Sequence, residues 1–214
     1  MTPKLVIFDM DGLMIDSERI SYQCFTAVCA ERGLAFDYAN FREIVGYGEE
    51  DNIHTLNKNY PEQDGEELFF AVERRYHESV LSGDVSLKPG LLELLDAIEK
   101  KGTVKKVVAT STVKRLANRI LESKGLSGRF DGTIFGDMVK HKKPAPDIYL
   151  MCSEKFETEP KDCLALEDSV PGVEAALAAG MPVVMIPDMV KPDPSIAQKC
   201  AAVCDTLADV IGLI

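Results

Sequence analysis

The chain has 214 residues, with 24 Lys and Arg against 35 Asp and Glu, a formal net charge of −11; 46% of residues are hydrophobic and 28% charged. That balance suits one large domain, or a domain carrying a smaller inserted one, and the acidic excess argues against nucleic acid or an anionic membrane surface as the main partner. No stretch approaches the roughly 20 apolar residues of a transmembrane helix, and the start, Met1-Thr2-Pro3-Lys4, is too short and too soon acidic for a secretory signal.

The first apolar run, Leu5–Phe8, predicts a buried strand that ends in Asp9-Met10-Asp11-Gly12. From Asp16 to about Asp84 no strand is expected, only helical periodicity punctuated by Gly33, Gly46, Gly48, Pro61 and Gly65. Roughly 70 residues is too long for a simple crossover and reads as an inserted helical subdomain. It holds 15 acidic and 6 basic residues, so −9 of the net −11 sits there. Beyond it come a second strand at Val107–Ala109, a helix over Val113–Ser123 ended by Gly125, and a third strand at Thr133–Phe135. A helix over Asp147–Phe156 leads to a fourth strand at Cys163–Leu166. A helix over Ser169–Ala179, with Ser169 as N-cap, Pro171 in its first turn and Gly180 at its end, precedes a fifth strand at Val183–Ile186. Strands alternating with amphipathic helices predict a doubly wound α/β parallel sheet. The six cysteines form no C-x-x-C pair and have no histidine at zinc-ligand spacing, so most of them read as small buried hydrophobes in a reducing cytoplasm.

Ligands of a parallel sheet bind outside the carboxyl ends of its strands. Asp9 and Asp11, released there from a buried strand, would repel each other, and a hard cation taking oxygen ligands, Mg²⁺, relieves that repulsion. The second strand runs into Thr110-Ser111-Thr112, placing hydroxyls and backbone N–H groups at a helix start, a natural anion site. In Lys142-Lys143-Pro144-Ala145-Pro146-Asp147 a rigid Pro-x-Pro turn is expected to hold Lys143 as a fixed point charge, whereas Lys140 and Lys142 read as solvated. The fourth strand delivers Glu167-Asp168-Ser169 to the same rim, a second acidic pair able to complete a Mg²⁺ shell.

On the segments D-M-D-G-L-M-I-D-S-E (Asp9 to Glu18), V-V-A-T-S-T (Val107 to Thr112), K-P-A-P-D (Lys143 to Asp147) and E-D-S-V-P-G-V-E-A-A-L-A-A-G-M (Glu167 to Met181), the chain resembles the haloacid dehalogenase superfamily of phosphohydrolases. The branch is the one with an α-helical cap inserted after the first strand, and the resemblance covers nearly the whole chain. The expected architecture is a Rossmann-like α/β core of residues 1–15 and 86–214, strand order 5-4-1-2-3, with a helical cap over 16–85 and hinges near Ile15–Ser17 and Leu87–Gly90. The resemblance implies that Asp9 is the nucleophile and forms an aspartyl-phosphate, and that Asp11 is the general acid and then the base. It implies that Thr110, the Ser111 backbone and Lys143 hold the phosphoryl group. Mg²⁺ would be held by Asp9, the Asp11 backbone carbonyl, Asp168 and Glu167, the last directly or through a partner.

That branch contains β-phosphoglucomutases and small-molecule phosphatases. Its mutases typically carry a basic residue three positions after the cap glycine corresponding to Gly46, and a His four positions after the hinge residue corresponding to Ser17. This chain has Glu49 and Ser21 there. An acidic cap edge disfavours a second phosphate. The expectation is therefore a Mg²⁺-dependent phosphatase of a small phosphorylated metabolite, with Glu49 or Glu50 accepting hydrogen bonds from sugar hydroxyls. Glu49–Asp51 reads equally as the acidic first turn of a helix. A mutase is the alternative, with Arg74 and Arg75 as cations for a second phosphate. A non-catalytic phospho-acceptor of the receiver type fits less well, because receivers are shorter, lack a helical insertion and lack a second Asp two residues after the acceptor.

Overall fold

The computed structural model describes residues 2–82 and 85–214; the expectations that fall on Met1 and on Asp84, the far edge of the insertion, lie outside the described residues. The chain divides into two compact units, Met1–Asp16 with Ser86–Ile214, and Ser17–Val85. Strand β1 (Leu5–Phe8) opens the first. Helices α1 (Ser17–Glu31), α2 (Tyr38–Arg42), α3 (Glu49–Asn59) and α4 (Gly65–Leu81) build the second. The chain returns through α5 (Leu91–Lys101), β2 (Lys105–Thr110), α6 (Lys114–Ser123), β3 (Gly132–Phe135), α7 (Asp147–Lys155) and β4 (Cys163–Glu167). It finishes with α8 (Val170–Ala178), β5 (Val183–Met185), α9 (Pro194–Ala197), β6 (Ala202–Val203) and a 3₁₀ segment over Leu207–Leu213.

In the helical unit, α4 packs against both α1 and α3. The buried stripe uses Cys24, Phe25 and Val28 of α1 and Leu68, Phe69 and Val72 of α4, positions three and four apart as an amphipathic helix requires. Asp64 starts α4 by accepting from the backbone N–H groups of Glu66 and Glu67, which satisfies donors that no helical carbonyl reaches. Asp37 does the same for α2.

The sheet runs β3-β2-β1-β4-β5-β6 with every pairing parallel. Read from the opposite edge, this is the expected order 5-4-1-2-3 with one strand added beside β5. The added strand is two residues long, too short to leave a periodic signal. Strand β2 starts earlier than its apolar run because Lys106 buries its stem in the sheet and meets Glu99 at 3.2 Å; a lysine can line a core this way when its ammonium is paired. All four residues of β1 are fully buried, as a central strand covered on both faces demands. Leu5 and Ile7 belong to a core that includes Val107, Ala165, Tyr149 of α7 and Val173 of α8. Cys152 and Cys163 lie in the same core and Cys24 and Cys29 are buried in the helical unit, all as free thiols. Among the described residues no helix is long and apolar enough to cross a membrane.

Two glycines bracket α5 in the left-handed region, Gly90 at φ 83° and Gly102 at φ 69°. A Cβ on Gly90 would sit 2.2 Å from the Ala208 nitrogen, whereas one on Gly102 would meet nothing within 4 Å. Gly102→Ala is therefore expected to cost only the left-handed penalty, about 1–2 kcal/mol. Gly90→Ala is expected to cost about 2–4 kcal/mol because overpacking adds to it. Urea unfolding of the two variants checks the difference, and equal losses would contradict the close approach at Ala208.

Candidate active site

The site follows from the register. Phe8 pairs with Val108 on one side and Leu166 on the other, so Asp9, the next residue, emerges between the ends of β2 and β4. Neighbouring parallel strands lie about 4.8 Å apart, which brings the Asp9, Thr110 and Glu167 ends within side-chain reach. This is also where the strand order reverses, since β1 connects onward to β2 while β4 lies on its other side. Such a switch point is where open α/β sheets bind ligands. Gly12, at φ 77°, turns the chain after β1, and the Met14 and Ile15 N–H groups close the loop onto the Met10 carbonyl at 2.9 and 3.2 Å.

Carboxylate oxygens of Asp9, Glu167 and Asp168 lie within 4.8 Å of one another, and all three residues are buried. The Lys143 ammonium reaches into this group. It donates to Asp9 Oδ1 and to Glu167 Oε1, the latter at 2.5 Å. The loop that presents it is fastened from behind: Asp147 Oδ1 accepts from the His141 backbone N–H at 3.1 Å and meets His141 Nδ1 at 2.8 Å. Burial disfavours the Lys143 ammonium, but the Asp9 and Glu167 carboxylates outweigh it and hold the amine well above its ordinary value. Burial pushes the Asp9 carboxyl up to about 8; Lys143 opposes the rise, and Glu167 and Asp11 add to it.

Three carboxylates facing one ammonium leave this set with an excess of negative charge that a divalent cation would balance. The donors are hard oxygens of the kind Mg²⁺ takes. The Asp11 carboxylate is not in the cluster. Its Oδ2 accepts from Thr110 Oγ1 at 3.2 Å and from Thr112 Oγ1 at 2.7 Å. Thr110 Oγ1 in turn accepts from the Thr112 N–H at 3.0 Å, so the hydroxyls that follow β2 orient the second carboxyl of the D-x-D pair. Ser111 is exposed between them.

The sequence reading therefore names residues that the fold brings together, Asp9, Asp11, Thr110, Lys143, Glu167 and Asp168, with Ser111 beside them. It places Thr112 in the hydroxyl run after β2 but does not foresee its contact with Asp11. It also misses Tyr149, a residue that reads only as an apolar position of α7 but donates its hydroxyl to Glu167. Gly46 and Glu49 belong to the helical unit. Gly46 is left-handed at φ 81°, and Glu49 opens α3 with Glu50 and Asp51 in the first turn, where acidic side chains meet the positive end of the helix dipole. That unit also contains a cleft of about 330 Å³ lined by Arg19, Ile20, Gln23, Cys24, Arg75 and Ser79. Arg74 is exposed.

The sequence profile of the haloacid dehalogenase-like hydrolases matches residues 3–180. Over 179 residues the chain is 35% identical to a phosphorylated carbohydrates phosphatase of Thermotoga maritima, covering 82% of this chain and 81% of that protein. Over 181 residues it is 32% identical to the fructose-1-phosphate phosphatase YqaB of Escherichia coli, covering 82% of this chain and 92% of that protein. The crystal structure of CbbY from Rhodobacter sphaeroides in complex with phosphate shares the fold with a TM-score of 0.78, at 24% identity over 97% of this chain and 96% of that one. Profile, relatives and fold agree with the four sequence segments that carry the residues of this rim, and on that ground the chain belongs to the haloacid dehalogenase-like hydrolases.

Proposed function

We propose that the protein is a Mg²⁺-dependent phosphatase of small phosphate monoesters, most naturally sugar phosphates, working through an aspartyl-phosphate on Asp9. One observation carries the reading: a buried lysine bridges Asp9 and Glu167 at the rim, while two threonine hydroxyls hold Asp11 two residues further on. The phosphatases among the relatives support the substrate class. We further propose that Ser17–Val85 serves as the cap of this site.

A carboxylate attacks a phosphate dianion poorly because like charges repel, so catalysis here is chiefly electrostatic. Asp9, Glu167 and Asp168, with the Asp11 carbonyl, would hold Mg²⁺, which supplies charge neutralisation of the transferring group. Lys143 adds a second fixed positive charge and sets the rotation of the Asp9 carboxylate through Oδ1. A carboxylate oxygen of Asp9 forms the new bond to phosphorus as the ester P–O bond breaks. Asp11, protonated at this stage, gives its proton to the departing oxygen. In the second half Asp11 takes a proton from water as that water attacks phosphorus; the bond to Asp9 breaks and phosphate leaves. Thr110 and Thr112 keep the Asp11 carboxyl oriented for both transfers. Splitting the reaction replaces one difficult step by two easier ones.

A second reading, a phosphosugar mutase, draws on the cleft that gathers Arg19 and Arg75, two of the six basic residues of an otherwise acidic insertion. A pair of guanidinium groups suits a second anionic group on the substrate.

Asp9→Asn is expected to lower kcat by at least about 10³-fold while leaving the unfolding midpoint nearly unchanged, since it removes the nucleophile and keeps the volume. Near-normal turnover in that variant would overturn the assignment. EDTA is expected to abolish phosphate release and Mg²⁺ to restore it. Rapid quenching with ³²P-labelled substrate and peptide mapping should find the label on Asp9. A panel of sugar monophosphates, phosphoglycolate and nucleotides, with β-glucose 1-phosphate plus its bisphosphate as the mutase arm, separates the two readings: phosphate release from monophosphates supports the phosphatase, and isomerisation without net release the mutase.

A further inference from the structure

Tyr149 is a fully buried side chain in α7, set in the core beside Ile148, Cys152 and Ala165. A phenol buried among such neighbours needs a partner for its hydroxyl, because an unmet hydroxyl costs more than a phenylalanine ring would. That partner is Glu167, itself fully buried, whose Oε1 accepts from the Tyr149 hydroxyl. The same oxygen accepts from Lys143 at 2.5 Å, and the Lys143 ammonium lies 5.3 Å from the centre of the Tyr149 ring, within cation–π range. On the far side of the carboxylate, Ser169 Oγ donates to Oε2 at 3.3 Å. Gly172 closes the enclosure, for a Cβ there would stand 2.0 Å from the Glu167 carboxyl carbon.

We propose that Tyr149 is a positioning residue of the cation site: its hydroxyl fixes the Glu167 carboxylate and its ring seats the Lys143 ammonium, so that the lysine bridges to Asp9 instead of collapsing onto Glu167. This rests on the reading of Asp9, Glu167 and Asp168 as the cation-binding set. Glu167 Oε1 is shared by two donors, and a carboxylate with two donors on one oxygen has less pull on either. Remove the hydroxyl and Lys143 becomes, among the described residues, the one strong donor left on Oε1. The lysine is then drawn toward Glu167 and away from Asp9, and the carboxylate rotates with it. Tyr149 touches no reacting atom; its effect passes through Glu167 and Lys143. Partners of this kind orient metal-binding carboxylates, and losing one typically weakens metal affinity about 10–100-fold.

The test is Mg²⁺ titration calorimetry on metal-stripped protein, without substrate, for the wild type, Tyr149→Phe, Glu167→Gln and the double variant. Tyr149→Phe keeps the ring and nearly all the volume. It is expected to weaken Mg²⁺ binding about 10-fold or more, with an unfolding midpoint in EDTA close to that of the wild type. The double variant is expected to bind no more weakly than Glu167→Gln alone, because the hydroxyl acts through the carboxylate. Mg²⁺ affinity unchanged by Tyr149→Phe, fully multiplicative losses in the double variant, or loss of cooperative unfolding in Tyr149→Phe would each overturn the proposal. If Glu167→Gln does not fold, the Tyr149→Phe affinity and midpoint decide alone. A wild type that hydrolyses phosphate esters but binds no Mg²⁺ overturns the proposal and leaves the phosphatase reading standing. A Mg²⁺-dependent effect of the hydroxyl in a protein that hydrolyses none of the panel leaves the proposal standing and removes the phosphatase reading.

Discussion

A buried ammonium shared between two buried carboxylates governs the rim of the sheet. Desolvating any of these three charges alone costs several kcal/mol, and the cost is met only when opposite charges meet in good geometry. For Lys143 that condition is met by the two carboxylates it bridges, which together hold the ammonium charged as one unit. Asp168 adds a third buried carboxylate within 4.8 Å of the other two. The raised Asp9 carboxyl has the same origin: burial among like charges that one lysine does not fully offset.

What assembles the unit is sheet register rather than sequence proximity. Asp9 and Glu167 are far apart along the chain, yet Phe8 pairs with Leu166 across adjacent strands, so the residues that follow each strand arrive side by side. A one-residue slip of β4 would turn Glu167 to the opposite face and carry it away from Lys143. The close packing of Leu5, Ile7, Cys163 and Ala165 in the core opposes that slip, because slipping would exchange side chains of different volume between two filled faces. Core packing thus fixes the geometry of the charges, and the energetic cost of misplacing them reinforces the packing.

The same logic explains what was legible in the residues. Strand ends are visible where an apolar run stops at an acidic or hydroxyl residue, and so the Asp9, Thr110 and Glu167 stations were readable. Lys143 was readable because two prolines stiffen the turn that carries it. Strand β6 was not, since Ala202 and Val203 form too short a run to stand out. Tyr149 escaped for a different reason: on a helix it occupies an ordinary core position, and its hydroxyl acquires meaning only when the sheet brings Glu167 to meet it. The orientation of Asp11 by Thr112 is likewise a tertiary fact, since the two are 101 residues apart.

Charge at the level of the whole insertion was a weaker guide than it first looks. The stretch from Asp16 to Asp84 carries a net −9, which suggests that a second anionic group would be unwelcome there. Yet at physiological ionic strength exposed charges are screened over about 8 Å, so the local set around a cleft decides what it accepts. Glu49, Glu50 and Asp51 occupy the first turn of α3, where the helix dipole already accounts for them without any ligand. Arg19 and Arg75 line the cleft of the same unit, with Arg75 Nη1 2.7 Å from Glu31 Oε1. That contact lacks hydrogen-bond geometry and leaves Nη1 buried without a directed acceptor. An anionic acceptor reaching Arg75 would supply the direction that Glu31 does not, so the local geometry of this guanidinium, more than the net sign of the insertion, sets the electrostatics of the cleft.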